Sequence, residues 1–264
     1  MHKKKFHLGI IGGCFPVQDG IESQALYHQI IVRMLYENYN LEMEILVEQY
    51  DSIKEGETKT VRLVNDTELD AILFHIRPDP YLKMSKFLFR YITPSDRLTY
   101  SFNFPIMKHN ISERFSMYEY KGSYKPKKKG HCFLNPFFRE LNYFVGMLLG
   151  INSYATRMEQ RLVDRIVNIC KREKKRVLLV GPPSRPRSKL ENYFCRLLEK
   201  KMFKLYGCSE TQYVSIYGSF SETGEYLFFE DGIHINPIGH KRIATLLFPA
   251  IAKVAITNES NKSP

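Results

Sequence analysis

Apolar positions recur along this chain with two different periods, and their alternation predicts a layered fold. Short apolar runs lie at residues 5–11, 42–48, 70–76, 176–180 and 212–217, lengths that suit buried strands. Between them run stripes at helical spacing. Residues 21–37 carry Ala25, Leu26, Ile30, Ile31, Met34 and Leu35, and residues 154–174 carry Met158, Leu162, Ile166 and Ile169. Residues 188–205 carry Leu190, Phe194, Leu197, Leu198 and Met202. A final helix after Asn236 carries Ile238, Ile243, Leu246, Leu247, Ile251 and Val254, and a shorter helix is expected at 59–65. Strands alternating with helices predict an α/β three-layer sandwich, a central parallel five-stranded sheet covered on both faces. In open sheets of this kind, sites form beyond the carboxyl ends of the strands.

With 264 residues, 44% of them hydrophobic, the chain can bury a substantial core as one domain spanning 1–264. It is long for a minimal sandwich, and residues 79–153 read as an insertion rich in Phe and Tyr, among them Phe87, Phe89, Tyr91, Phe102, Phe137 and Phe138. A structureless loop of that length is unusual in a compact domain, so short helices are expected there. The aromatic content fits a lid or acyl-chain pocket, and equally extra core packing or a dimer contact. Residues 256–264 read as a flexible tail.

Two stretches carry candidate chemistry. In Asp231-Gly-Ile-His234-Ile-Asn-Pro-Ile-Gly-His240 an acid stands three residues before a histidine, on a loop entering the last helix. Asn236 suits the N-cap and Pro237 the first turn. Such a loop can hold an imidazole in one tautomer, which a general base needs from its orienting partner. At the other end, the first strand breaks at Gly12-Gly13-Cys14-Phe15-Pro16 before a helix. A strand, glycine-rich turn and helix expose a side chain at the sheet's carboxyl edge, and a helix N-terminus or nearby imidazolium favours the reactive thiolate.

These blocks resemble those of the SGNH (GDSL-type) hydrolases. Gly12-Gly13-Cys14 stands where that family has Gly-Asp-Ser, with Gly for Asp and Cys for Ser, and Asp231-x-x-His234 matches its last block. The resemblance implies a flavodoxin-like sandwich and acyl-transfer chemistry: an ester or thioester hydrolase with a Cys14–His234–Asp231 triad and an acyl-cysteine intermediate. The family's Gly-x-Asn-Asp block falls at His75-Ile76-Arg77-Pro78, which puts Arg77 in place of the oxyanion-binding Asn. A guanidinium there can stabilise an oxyanion or anchor a substrate carboxylate. Gly13 belongs to the same oxyanion and substrate-binding group. The second block leaves Ser52 and Gly56 as alternatives. A small-molecule acyl substrate is implied, with no cofactor. Two further readings stay open: an acyltransferase taking its donor from an acyl carrier protein, and a binding module that kept the fold without the reaction.

A net charge of +11 invites a nucleic-acid reading, but no nucleic-acid fold signature accompanies the clusters Lys121–Lys129 and Lys171–Arg176. They read as solvated surface, or as contacts for an acidic partner such as a carrier protein or an anionic membrane. Cysteines at 14, 132, 170, 195 and 208 have no metal-ligand spacing and an odd count. Cys170 and Cys195 fall near apolar stripes and read as packing residues. Free thiols point to a reducing compartment, hence a cytoplasmic location. Two other accounts of Cys14 are a lipoprotein signal, for which Phe6–Ile11 is short, and a structural cysteine at the turn. His75 reads as satisfied by a hydrogen bond, and His240 as a packing or surface residue.

Overall fold

The computed structural model describes residues 5–13, 15–18, 20–50, 53–66, 69–77, 89–92, 97–100, 134–185, 188–207, 211–223, 227–229 and 234–262. The elements run β1 (Lys5–Gly12), a 3-10 turn (Ser23–Ala25), α1 (Tyr27–Tyr39), β2 (Glu42–Gln49), α2 (Ile53–Asp66) and β3 (Ala71–His75). There follow β4 (Phe89–Ile92), β5 (Arg97–Tyr100), α3 (Leu134–Leu148), α4 (Ile151–Arg172) and β6 (Arg176–Val180). The chain continues through α5 (Lys189–Tyr206), β7 (Gln212–Val214), α6 (Tyr217–Thr223) and α7 (Pro237–Lys262).

Five parallel strands form the sheet in the order β2-β1-β3-β6-β7, the doubly wound order expected of a flavodoxin-like sandwich. Successive side chains of each strand point to opposite faces, so the core has two halves. On one face Leu8, Ile10, Leu73 and Leu178 pack with Tyr27, Ile31 and Leu35 of α1 and Ile243, Leu247 and Ile251 of α7. On the other, Ile11, Ile72, Phe74 and Leu179 pack with Leu63 of α2, with Leu162, Val163 and Ile166 of α4, and with Phe194, Leu198 and Met202 of α5. Cys170 is buried within this packing and Cys195 is buried on the same layer, and burial pushes the Cys170 thiol up to about 12.

Several boundaries differ from the sequence reading. The helix expected at 59–65 extends over Ile53–Asp66. The strand expected at 212–217 stops at Val214, and Tyr217 opens α6. Within 79–153 the described residues hold an antiparallel hairpin, β4 with β5 in the register Phe89↔Tyr100, beside the 15-residue α3. Four-residue strands are too short for periodicity to separate them from aromatic-rich helix. Helix α7 takes in residues 256–262 of the expected tail. At its start Ile238 is 42% exposed, not on the apolar stripe, and Gly239 and His240 turn inward instead.

Candidate active site

The carboxyl ends of β1, β2 and β3 deliver Gly13, Tyr50 and Arg77 to one place. An ideal Cβ built on Gly13 would lie 2.6 Å from Arg77 Nε, so the guanidinium rests directly on the Gly13 backbone and any side chain there would displace it. The same guanidinium lies 4.9 Å from the centre of the Tyr50 ring, within cation–π range. Tyr50 is itself held at both ends. Its N–H donates to Gly12 O (2.9 Å) and its hydroxyl to His75 O (3.1 Å). The backbone N–H of Arg77 donates to Oε1 of Glu159 (3.2 Å), a 3% exposed carboxylate on the inner face of α4.

The described residues on either side of 230–233 are also tied closely. Phe229 N–H donates to His234 O (2.8 Å), and Phe228 bridges Ile235, so the two ends of the run 229–234 meet. Asn236 caps the helix as expected, its Oδ1 accepting from Gly239 N–H (2.9 Å) while its Nδ2 donates to Phe228 O (3.1 Å). His234 is half-buried.

The segment after Cys14 and the loop before α7, more than two hundred residues apart in sequence, are joined by a side chain. The buried Gln18 carboxamide donates from Nε2 to Ile235 O (2.6 Å) and accepts at Oε1 from Ile235 N–H (3.2 Å). It satisfies both backbone groups of the residue after His234, from a position four residues after Cys14.

Beneath the turn lies a polar cluster. Tyr27 Oη and His75 Nε2 share a hydrogen bond of 2.6 Å, Tyr27 N–H donates to His240 Nδ1 (3.3 Å), and the Tyr27 and His240 rings stack at 6.1 Å. His28 Nε2 donates to Pro16 O (2.9 Å), and Phe15 meets the His75 ring edge-on. Burial, reinforced by the neighbouring imidazoles, pushes His75 down to about 3 and His240 down to about 4, and burial also lowers His28. All three are neutral at physiological pH. His75 thus has its hydrogen bond and His240 its packing role, the latter wholly buried.

A second arginine borders the turn. Arg185, 2% exposed in the loop after β6, sets its guanidinium 5.8 Å from the Phe15 ring and its Nε 4.0 Å from Oε1 of the buried Glu191.

Of the residues singled out from sequence, Gly13, Arg77 and His234 are described, and the first two are in contact. Cys14, Ser52 and Asp231 lie outside the described residues. Gly56, the alternative to Ser52, sits inside α2 beside the Tyr50 ring, where an added Cβ would come within 3.1 Å. Gln18, Tyr50, Glu159 and Arg185 were missed. Glu159 left a signal, because it shares the buried stripe of Ala155, Leu162, Val163 and Ile166, and a carboxylate among those positions calls for a partner. Gln18 left none. Among the described residues, no group of three His, Cys, Asp or Glu could hold a metal ion, and no helix is long and apolar enough to cross a membrane.

No family model and no curated protein matches the sequence. Solved structures do match the fold. The lipase Lip_vut3 from a goat rumen metagenome is 12% identical, with 93% of this chain and 97% of that one covered at a TM-score of 0.57. The psychrotrophic esterase EstA from Pseudoalteromonas sp. is 8% identical, with coverages of 94% and 97% and a TM-score of 0.54. A variant of the acetyl xylan esterase Axe2 from Geobacillus stearothermophilus is 13% identical, with coverages of 93% and 94% and a TM-score of 0.53. At these identities the likeness is one of fold, and it extends over nearly the whole of each chain.

Proposed function

We propose that this chain is an SGNH-type acyl-transfer enzyme that hydrolyses an ester or thioester through Cys14, His234 and Asp231. The observation that carries the reading is the Gln18 clamp: a buried side chain ties the loop following Cys14 to the residue following His234. The clamp holds the loop after Cys14 in register with the residue after His234, as a reaction between the two side chains would require. The architecture shared with the lipase and the esterases supports the same reading.

In this mechanism His234 takes the Cys14 thiol proton and the thiolate attacks the acyl carbonyl. The tetrahedral oxyanion is stabilised by backbone N–H groups of the Gly13–Cys14 turn and by Arg77. His234 returns the proton to the departing alcohol or thiol, leaving an acyl-cysteine. Water, deprotonated by His234, then releases the carboxylic acid and restores the thiol. Asp231 orients the imidazole.

Intact-mass spectrometry with a panel of acyl thioesters and activated esters tests this. An acyl adduct mapping to Cys14, absent in Cys14→Ala and not turned over in His234→Ala, is the expected result. No adduct with any donor, together with a Cys14 that alkylates no faster than a free thiol, would overturn it. Adding amine acceptors separates transfer from hydrolysis.

A further inference from the structure

Helix α5 (Lys189–Tyr206) has an outer face unlike an ordinary solvated one. Both of its carboxylates turn inward, Glu191 at 0% and Glu199 at 7% exposed. What remains outside is positive and apolar. Tyr193, Arg196, Leu197, Lys200, Phe203 and Lys204 are all exposed. At about 100° per residue they fall within an arc of about 120°, opposite the buried stripe of Phe194, Leu198 and Met202. The large members are well out of the core, with Tyr193 50%, Leu197 39% and Phe203 54% exposed.

Scattered exposed apolar residues mean little. Here they are interleaved with three cations, and no acid stands among them. A helix stabilised in water for its own sake mixes charges and gains from i,i+4 pairs of opposite sign; this arc has no such pair. Cations that reach phosphate while aromatic and aliphatic groups enter the headgroup boundary are what an interfacial helix needs. The chain's net charge of +11 adds to the attraction.

We infer that the outer face of α5 docks on an anionic lipid surface, with Arg196, Lys200 and Lys204 on the phosphates and Tyr193, Leu197 and Phe203 in the headgroup boundary. This docking does not depend on the acyl-transfer reading.

The test is co-sedimentation of the whole chain with vesicles of phosphatidylcholine alone or with roughly one third phosphatidylglycerol. The chain partitions onto the anionic vesicles and not the neutral ones. Lys200→Glu/Lys204→Glu weakens partitioning roughly tenfold or more, and Lys200→Gln/Lys204→Gln weakens it less. Tyr193→Ser/Phe203→Ser weakens it with charge unchanged. Arg33→Glu/Lys253→Glu, the same charge change on the opposite layer, leaves most of it. Thermal unfolding confirms that each variant is folded. Equal losses from both Glu pairs would mean that net charge acts and not this face. No partitioning onto anionic vesicles, or capture by polyglutamate in place of vesicles, would equally overturn the inference.

Discussion

Under the carboxyl edge of the sheet, the two helical layers hold polar groups in opposite ways. On the α1–α7 side, Tyr27, His28, His75 and His240 are buried uncharged and share hydrogen bonds and ring contacts. On the α2–α4–α5 side ionic groups stand among the buried polar ones: Arg77 over Tyr50 with Glu159 on its N–H, and Arg185 near Glu191. Neutral groups can be buried at modest cost if hydrogen-bonded, whereas ionic groups need close countercharge. The first layer is therefore a rigid but acid-sensitive floor. The second places guanidinium charge beside the turn that carries the proposed nucleophile.

The largest effect that would break this contrast is removal of the floor's centre. Tyr27 is fully buried and touches three histidine rings. Tyr27→Ala should cost about 3–5 kcal/mol in denaturant unfolding, and a loss below about 1 kcal/mol would show that the cluster is not a unit. Acid comes next. His75 and His240 have folded pKa values below the unfolded value, so below about pH 6.5 the unfolded chain binds more protons and stability falls as pH falls. By about pH 5.5 the two together should remove about 2–3 kcal/mol relative to neutral pH, with His28 acting in the same direction. An unfolding free energy that stays flat over that range would sink this account of the floor.

Gln18→Ala leaves both backbone groups of Ile235 without their partner. A stability loss of about 1–3 kcal/mol is expected, and a kcat loss of roughly tenfold to a hundredfold with KM little changed, as the two loops lose register. A variant that loses stability but keeps kcat would make the clamp structural alone. On the ionic side, Glu159→Ala should cost about 1–3 kcal/mol by removing the acceptor from Arg77 N–H, and Glu159→Gln, which keeps an acceptor, should recover most of it. The smallest effect is the cap. Asn236→Ala should cost about 1 kcal/mol in thermal or chemical unfolding, with no bearing on the acid response.

Where the pattern along the chain was strong, the structure follows it closely. The strand at 176–180 matches to the residue, and β1, β2, α5 and the Asn236 cap agree within a residue or two. The two-residue and 3.6-residue periods report which face of an element is buried, and burial of apolar surface dominates the energy of such a sandwich. The same logic passed over Tyr27, and for His75 and His240 it gave a role, a hydrogen bond and packing, without the partners. Polar side chains on a buried stripe are ambiguous until their partners are known. Arg77 could be flagged from its place after a strand, yet nothing in the sequence says that it lies on Gly13 or faces Tyr50.

The sequence by itself thus determined the layered α/β architecture, the strand and helix order, and the two end blocks that propose a nucleophile and a base. Those are carried by local periodicity, turn chemistry and short spacings, all readable within a short stretch of chain. Tertiary structure alone decided that Gln18 joins these ends, that three histidines are kept neutral beneath them, and that both acids of α5 turn inward. Each of these depends on which distant groups share a low-dielectric interior. Contacts such as Gln18 with Ile235, 217 residues apart, leave no local trace in the order of amino acids.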